Sequence, residues 1–144
     1  AGVAVVFVPE IPKIRASGAT WWVNPNKAVI QVSLRYKTDD QLWFSFFHEA
    51  GHILLHGKKE KFIEGNGKNS KEDEADRFAS DILIPPVQYR RFIQAERYSR
   101  GTIQKFASKI EIAPGIVVGR LQHDKRIDYG FCNELKKRFE WKNA

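Results

Sequence analysis

Three short apolar runs near the start of the chain, separated by turn-forming residues, predict a small β-sheet. Val3–Val8 is a continuous apolar run and predicts a buried strand. Residues 19–23 and 28–33 are rich in β-branched and aromatic side chains, and the turn-forming sequence Asn24–Lys27 lies between them. These two runs therefore predict an antiparallel hairpin. Since no long helical crossover separates the three runs, we expect a mostly antiparallel sheet of about three strands.

The periodicity changes from strand-like to helical after residue 37. Thr38–Gln41 has the pattern of a capping box and predicts a helix that continues to about His56. Ser70–Asp73 has the same pattern and predicts a second helix that ends near Ile84, before two prolines. A polar loop is expected over residues 57–69. The apolar face of the first helix comprises Leu42, Phe46, Ala50, Ile53 and Leu54.

The remainder of the chain predicts several further helices. They are expected over Val87–Tyr98, from a Ser99 cap to Ile110, from Pro114 to about Asp124, and as a last basic helix over 131–141. The fold class is therefore α+β, with the sheet packed against the first helix and the others completing the structure. A chain of 144 residues is long enough to bury a core as a single domain over 1–144.

Composition limits the cellular context. The single Cys132 cannot form an intramolecular disulfide, which is typical of a reducing compartment. The longest apolar run is too short to cross a bilayer, and no secretory signal precedes it. We therefore expect a cytoplasmic protein without a membrane partner. The chain lacks methionine and begins on a strand-like segment, so we interpret it as part of a longer protein or as a processed form.

The net charge of +7 is confined to the second part of the chain. Residues 86–144 contain 13 basic and 6 acidic residues, whereas residues 1–85 contain 11 of each. Such asymmetry occurs in proteins with an anionic partner, nucleic acid included. More often such asymmetry reflects a solvated basic surface on helices.

The first helix contains His48-Glu49-Ala50-Gly51-His52, which fits the pattern H-E-x-x-H. Histidines four residues apart lie about 40° apart around a helix, so both imidazoles can bind one metal ion. Imidazole nitrogen suits Zn²⁺, and Glu49 is placed to act as general base for an attacking water. Because Gly51 is a poor helix former, we expect a close backbone approach there.

Two histidines leave a catalytic zinc site one protein ligand short. The candidates are His56, His123, Glu72, Asp73, Glu74 and Asp76. His56 is disfavoured because His48, His52 and His56 span two helical turns, about 12 Å, and cannot all reach one ion. Helical phase places Glu72 nearest the buried side of its helix, with Asp76 one turn later, whereas Asp73 and Glu74 project elsewhere. Glu72 is thus the preferred ligand, and Asp76 is suited to accept the remaining N–H of a ligand histidine.

The two segments together resemble the ImmA/IrrE family of metallopeptidases. The first runs from His48 through Ile-Leu-Leu to His56, and the second from Glu72 through Ala75, Phe78 and Ala79 to Pro85. The resemblance extends over about residues 3–124. It implies a zincin-like fold and zinc-dependent peptide hydrolysis, with zinc on His48, His52 and Glu72 and with Glu49 as the base; the family's Asn/Asp position falls on Asp76.

The resemblance also implies a regulatory context. Family members often carry an Xre-type helix-turn-helix domain upstream and act in repressor, stress-response or toxin–antitoxin regulation. The expected substrate is a protein such as a repressor or antitoxin, and DNA contact is expected only through a missing upstream domain. The oxyanion donor is not identified: His123, Tyr129 and Tyr89 have suitable side chains, and none is assigned to the site.

Two other interpretations remain open. Residues 99–124 contain two short helices with Arg120 and Lys125 nearby, a pattern superficially typical of a DNA-binding helix-turn-helix. Alternatively, the domain is a non-catalytic regulatory or toxin-binding module with a vestigial metal site. A metallopeptidase predicts that Glu49→Gln abolishes cleavage and keeps the metal, which neither alternative predicts.

Overall fold

The computed structural model contains two compact units. The first comes from residues 1–36 and 44–79, and the second from residues 37–43 and 80–144. The described residues are 2–10, 13, 16–34, 38–58, 62–63 and 70–142. None of the helices within these ranges has the length and apolar character needed to span a membrane.

A four-stranded mixed sheet forms the base of the first unit. The strands are β1 (Gly2–Val8), β2 (Gly18–Asn24), β3 (Lys27–Ser33) and β4 (Phe62–Ile63), in the spatial order β1-β3-β2-β4. The predicted hairpin is confirmed, since β2 and β3 are antiparallel, as are β2 and β4. β1 runs parallel to β3 and is the exception in a mostly antiparallel sheet.

The prediction that the first strand is buried is wrong. Both Val3 and Phe7 keep 49% of their surface exposed in β1. β1 lies at one edge of the described sheet, and β3 is its neighbour there. An apolar run reveals strand propensity, but it does not reveal whether another element covers the strand.

Part of the predicted loop over 57–69 is a short strand. Residues of β4 pair with Thr20 and Ala19 of β2. A two-residue strand is too short to produce a periodic pattern, so the sequence gives no signal for it. The remainder of the predicted loop after residue 58 lies outside the described residues.

The two predicted helices of the metal motif are present as α1 (Asp39–Leu55) and α2 (Ser70–Leu83). Their close approach at Gly51 is confirmed: a Cβ atom added there would lie 3.3 Å from Ala75 Cα and 3.1 Å from a ring carbon of Phe78. Ala75 itself is fully buried. The absence of a side chain at Gly51 therefore lets the backbones of α1 and α2 come together.

Three further helices lie in the second unit. They are α3 (Pro86–Gln94), α4 (Arg100–Lys109) and α5 (Pro114–His123). The predicted Ser99 cap is confirmed, because its hydroxyl accepts a hydrogen bond from Thr102 N within a capping box. α3 is shorter than predicted, since Glu96 adopts a left-handed backbone with φ 49°.

α5 is a core helix. Its buried residues are Gly115, Ile116, Val117, Val118, Leu121 and Gln122. A helix that reads DNA bases uses polar side chains in its N-terminal turns, and those turns of α5 are apolar and buried. The structure therefore argues against residues 99–124 as a DNA-binding helix-turn-helix.

The predicted last helix over 131–141 is wrong. The segment contains only a short 3₁₀ turn, Asn133–Leu135, and a β-bridge between Thr38 and Arg138. The side-chain nitrogen of Gln122 donates to oxygens of this segment and its start: Tyr129 O at 3.1 Å, Phe131 O at 3.3 Å and Asn133 Oδ1 at 2.8 Å. The backbone oxygens of Tyr129 and Phe131 thus accept hydrogen bonds from a side chain. The conformation of this segment therefore does not follow from local helix propensity alone.

Candidate metal centre and general base

α1 presents two buried imidazoles toward one point. His48 is 2% exposed and His52 is 1% exposed. Their Nε2 atoms lie 3.1 Å apart, as the spacing of four residues predicts. Buried polar rings with ligand nitrogens converging in this way are typical of a metal site rather than of an ordinary apolar core.

Glu72, in the first turn of α2, completes the cluster. Its Oε2 lies 3.2 Å from His48 Nε2, and its Oε1 lies 3.2 Å from His52 Nε2. The three ligand atoms all lie within 4.8 Å of one another. The sequence reasoning that preferred Glu72 over its acidic neighbours therefore agrees with its position in the structure.

The cluster has the size and composition that a catalytic zinc ion needs. In a tetrahedral site with bonds of 2.0–2.1 Å, neighbouring ligand atoms lie about 3.3 Å apart. The nearest separations among the three groups here are 3.1, 3.2 and 3.2 Å. Two imidazoles and one carboxylate form one face of such a tetrahedron and leave the fourth position for water or substrate. The residues present can thus hold zinc.

Glu49 lies beside the ligands and is held by strand β2. Its side chain is fully buried. The Thr20 hydroxyl donates a hydrogen bond to Glu49 Oε2 at 2.5 Å, and a Cβ atom added to Gly18 would lie 2.6 Å from Glu49 Oε1. β2 therefore both orients the carboxylate and leaves room for it.

Sequence reasoning missed Thr20 and Gly18. They precede Glu49 by about thirty residues and lie within or beside a run identified only as a strand. No local spacing connects a strand residue with a helix residue so far along the chain. The signal available was indirect: a small residue and a hydroxyl on a strand expected to pack against the motif helix.

Asp76 lies where the sequence predicts it. Its Oδ1 is 2.8 Å from His48 Nδ1. When His48 Nε2 faces a metal, the proton of the neutral ring is on Nδ1, which then donates to Asp76. This bond selects the tautomer that binds metal and fixes the ring orientation.

His56 is not a metal ligand in the geometry observed, in agreement with the sequence analysis. Its Nδ1 lies 2.9 Å from the Nδ1 of His52, on the side of that ring opposite the cluster. Its Nε2 lies 3.1 Å from Glu74 Oε2. Glu74, expected to project away from the buried side of its helix, keeps 58% of its side chain exposed, and the imidazole of His56 reaches it there.

Two of the three candidate oxyanion donors take part in a separate cluster of the second unit. The Tyr89 hydroxyl donates to Asp124 at 2.7 Å, and His123 Nδ1 lies 3.0 Å from the same carboxylate. Burial, and then the bond to Asp124, raises the pKa of Tyr89 well above its ordinary value. The third candidate, Tyr129, is 70% exposed. These contacts give Tyr89 a structural role, whereas His123 keeps 79% of its side chain exposed.

Arg120 completes this second cluster. Burial alone would raise the pKa of Asp124, but hydrogen bonds from Arg120, Tyr89 and His123 outweigh it and lower the pKa. Arg120 Nε lies 2.8 Å from Asp124, and its guanidinium lies 4.6 Å from the centre of the Tyr89 ring. The cluster therefore connects α3 to α5 through a charged, partly buried group.

Comparison with known families agrees with this geometry. A family profile described as the IrrE N-terminal-like domain, of the peptidase class, matches residues 3–122. A comparison with curated proteins gave no significant match. The matched range includes β2, β3, β4, all of β1 except Gly2, both motif helices and each residue of the candidate metal centre.

Proposed function

Since the chain belongs to the IrrE N-terminal-like peptidase family, we propose that it is a zinc-dependent endopeptidase that cleaves a regulatory protein. The observation that carries the proposal is the convergence of His48, His52 and Glu72 beside a buried Glu49. Three ligands of zinc-binding type and one acid–base group are what metal-assisted peptide hydrolysis requires.

When bound, zinc supplies Lewis-acid chemistry, since it makes water more acidic and polarises the carbonyl of the peptide bond. The residues of the chain supply the proton transfers and the positioning. Glu49 accepts a proton from the attacking water as the oxygen bonds to the carbonyl carbon. As the C–N bond breaks, Glu49 passes that proton to the leaving amine, so the carboxylate is regenerated.

Orientation of Glu49 is part of this mechanism. A general base works only within hydrogen-bond reach of the proton that it takes. The Thr20 hydroxyl donates to Oε2 and so directs the carboxylate. Gly18 permits this position because its missing side chain leaves the space that the carboxylate fills.

We propose that the substrate is a protein such as a repressor or antitoxin, and that the enzyme acts on it in the cytoplasm. This part of the proposal rests on the resemblance to regulatory metallopeptidases with an upstream Xre-type domain. In that arrangement DNA contact belongs to the upstream domain, which fits the buried, apolar α5 of the present chain. No membrane partner is proposed.

The test compares the wild-type protein with Glu49→Gln, using a peptide library derived from a bacterial proteome as substrate. We expect about one equivalent of zinc in both proteins and cleavage by the wild type alone. Mass spectrometry of the products and elemental analysis of the proteins provide the two measurements. Zinc without cleavage in the wild type would indicate a regulatory metal site, and cleavage by Glu49→Gln would exclude Glu49 as the base.

A further inference from the structure

We infer that His56 and Glu74 form a relay that positions His52 for metal binding. The inference rests on the proposed metal site and extends it to two residues outside the ligand set. His56 bridges two groups: His52 Nδ1 at 2.9 Å and Glu74 Oε2 at 3.1 Å. Both are positioning residues, since neither belongs to the group of three that could hold the metal.

The contact between the two rings has only one arrangement of protons that is compatible with metal binding. Two imidazole nitrogens can share a hydrogen bond only if one carries a proton and the other does not. A metal on His52 Nε2 requires that nitrogen to be unprotonated, so the proton of the neutral ring is on Nδ1. His52 Nδ1 therefore donates to His56 Nδ1.

The second contact completes the same arrangement. Because His56 Nδ1 accepts a hydrogen bond, the neutral ring of His56 carries its own proton on Nε2. That nitrogen faces the carboxylate of Glu74, which accepts the bond. Each donor in the series thus meets an acceptor, and the series selects the tautomer of His52 that can bind metal.

The relay connects His52 to a carboxylate of α2, a connection that His48 makes directly. His48 Nδ1 contacts Asp76 of α2 at 2.8 Å without an intermediate. His52 lies one helical turn later on α1 and uses the ring of His56, a further turn later, to reach an acid of α2. Both ligand imidazoles are therefore supported by carboxylates of the helix that also provides Glu72.

Burial distinguishes His56 from an incidental surface histidine. Its side chain is 3% exposed, whereas the side chain of Glu74 is 58% exposed. A buried imidazole with both nitrogens in hydrogen bonds has a defined orientation, and it transmits that orientation to its neighbour. Glu74 holds the outer end of the relay at the protein surface.

The relay predicts a loss of zinc affinity when either member is removed. Groups that orient ligand histidines typically contribute about 10- to 100-fold in metal affinity. We expect His56→Leu to weaken zinc binding within that range, and Glu74→Ala to weaken it less because Glu74 is exposed. The double variant should bind zinc about as weakly as His56→Leu, since Glu74 acts only through His56.

The experiment measures zinc affinity by competition with a chromophoric chelator, and it measures the melting temperature of each zinc-free protein. His56→Gln is the conservative variant, because its amide oxygen can accept from His52 while its amide nitrogen donates to Glu74. We expect it to recover most of the affinity that His56→Leu loses. Asp73→Ala, an exposed acid next to Glu74 in the same helix, is the matched control and should bind zinc like the wild type.

The outcomes separate this inference from the proposed function. If the wild type binds no zinc, the metal site itself is wrong. If the wild type binds zinc and His56→Leu and Glu74→Ala bind it equally tightly, only the relay is overturned. If His56→Leu does not fold, the zinc affinities of Glu74→Ala and Asp73→Ala still test the relay, because both variants replace exposed acids. Equal zinc affinities in these two variants would exclude the relay.

Discussion

Thr20 of strand β2 donates its hydroxyl hydrogen to the buried carboxylate of Glu49 in helix α1, with 2.5 Å between the two oxygens. The same hydroxyl lies 3.3 Å from the backbone oxygen of Glu49. A residue of the sheet thus fixes the group proposed as general base. The position of the base depends on the packing of α1 against β2 as well as on the helix that carries it.

Replacing Thr20 by valine should reduce turnover without removing zinc. Valine keeps the branched shape and lacks the donor, and a hydrogen bond to a charged group contributes about 1.5–3 kcal/mol. If that free energy appears in the barrier, kcat falls about 10- to 100-fold. Peptide-cleavage kinetics and elemental analysis measure the two effects. Thr20→Ser retains the hydroxyl and should stay near wild-type activity; equal losses in both variants would mean that the hydroxyl is not responsible.

Adding a methyl group at Gly18 should displace Glu49. The new Cβ atom would lie 2.6 Å from Oε1 and 2.8 Å from Cγ of that residue, which is too close for either. We expect Gly18→Ala to lose most peptidase activity, to retain zinc, and to lose about 1–3 kcal/mol of unfolding free energy through overpacking. Gly2→Ala is the matched control, since nothing lies within 4 Å of its added Cβ atom. A fully active Gly18→Ala protein would contradict the close approach.

Removal of zinc should lower thermal stability only in proteins that retain the ligand set. A ligand present at a thousandfold above its Kd stabilises the folded state by about 4 kcal/mol, which corresponds to roughly 10 °C in Tm for a chain of this size. Adding a strong chelator to the zinc-loaded wild type should therefore lower its Tm by that amount. Differential scanning calorimetry provides the measurement. Glu72→Ala removes the carboxylate ligand, and its Tm should not respond to chelator; an equal response in both proteins would place the metal elsewhere.

The Asp124 cluster should stabilise the protein in a pH-dependent way. Its hydrogen bonds hold the pKa of Asp124 below the ordinary value of 3.8, so the charged form is favoured in the folded protein. The stabilisation is therefore present above pH 3.8 and is lost as pH falls through the lower pKa of the folded state. Asp124→Asn should cost about 1–2 kcal/mol at neutral pH and nothing under strongly acidic conditions. Urea unfolding across this range measures the difference.

The control for that measurement is Asp128→Asn. Asp128 is exposed, so its replacement should leave the unfolding free energy nearly unchanged at each pH. If the unfolding free energies of the wild type and Asp124→Asn still differ at the lowest pH, the shape of the side chain rather than its charge is responsible. A difference that grows on acidification would reverse the sign assigned to the shift.

The parts of the site that sequence predicts are those encoded by short spacings. His48, Glu49 and His52 follow from a five-residue pattern, and helical phase is sufficient to select Glu72 among four nearby acids. Asp76 follows from a spacing of one helical turn. Each of these positions depends on the geometry of a single helix, which is constant from protein to protein.

The parts that sequence does not predict depend on contacts between distant segments. Thr20 meets Glu49 across 29 positions, and Glu74 meets His56 across 18. Gln122 donates to oxygens of residues 129, 131 and 133, contacts that the helical pattern over 131–141 does not report. The exposure of Val3 and Phe7 likewise depends on what covers the strand, which strand propensity does not report.

The close approach of α1 and α2 at Gly51 and Ala75 has a consequence for metal binding. Two of the smallest residue types occupy the point where the helices that carry the histidines and Glu72 meet. A side chain added at Gly51 would meet Phe78 and the backbone of Ala75, so the two helices would have to separate. We expect such a change to move the Glu72 carboxylate away from the imidazoles and to weaken metal binding.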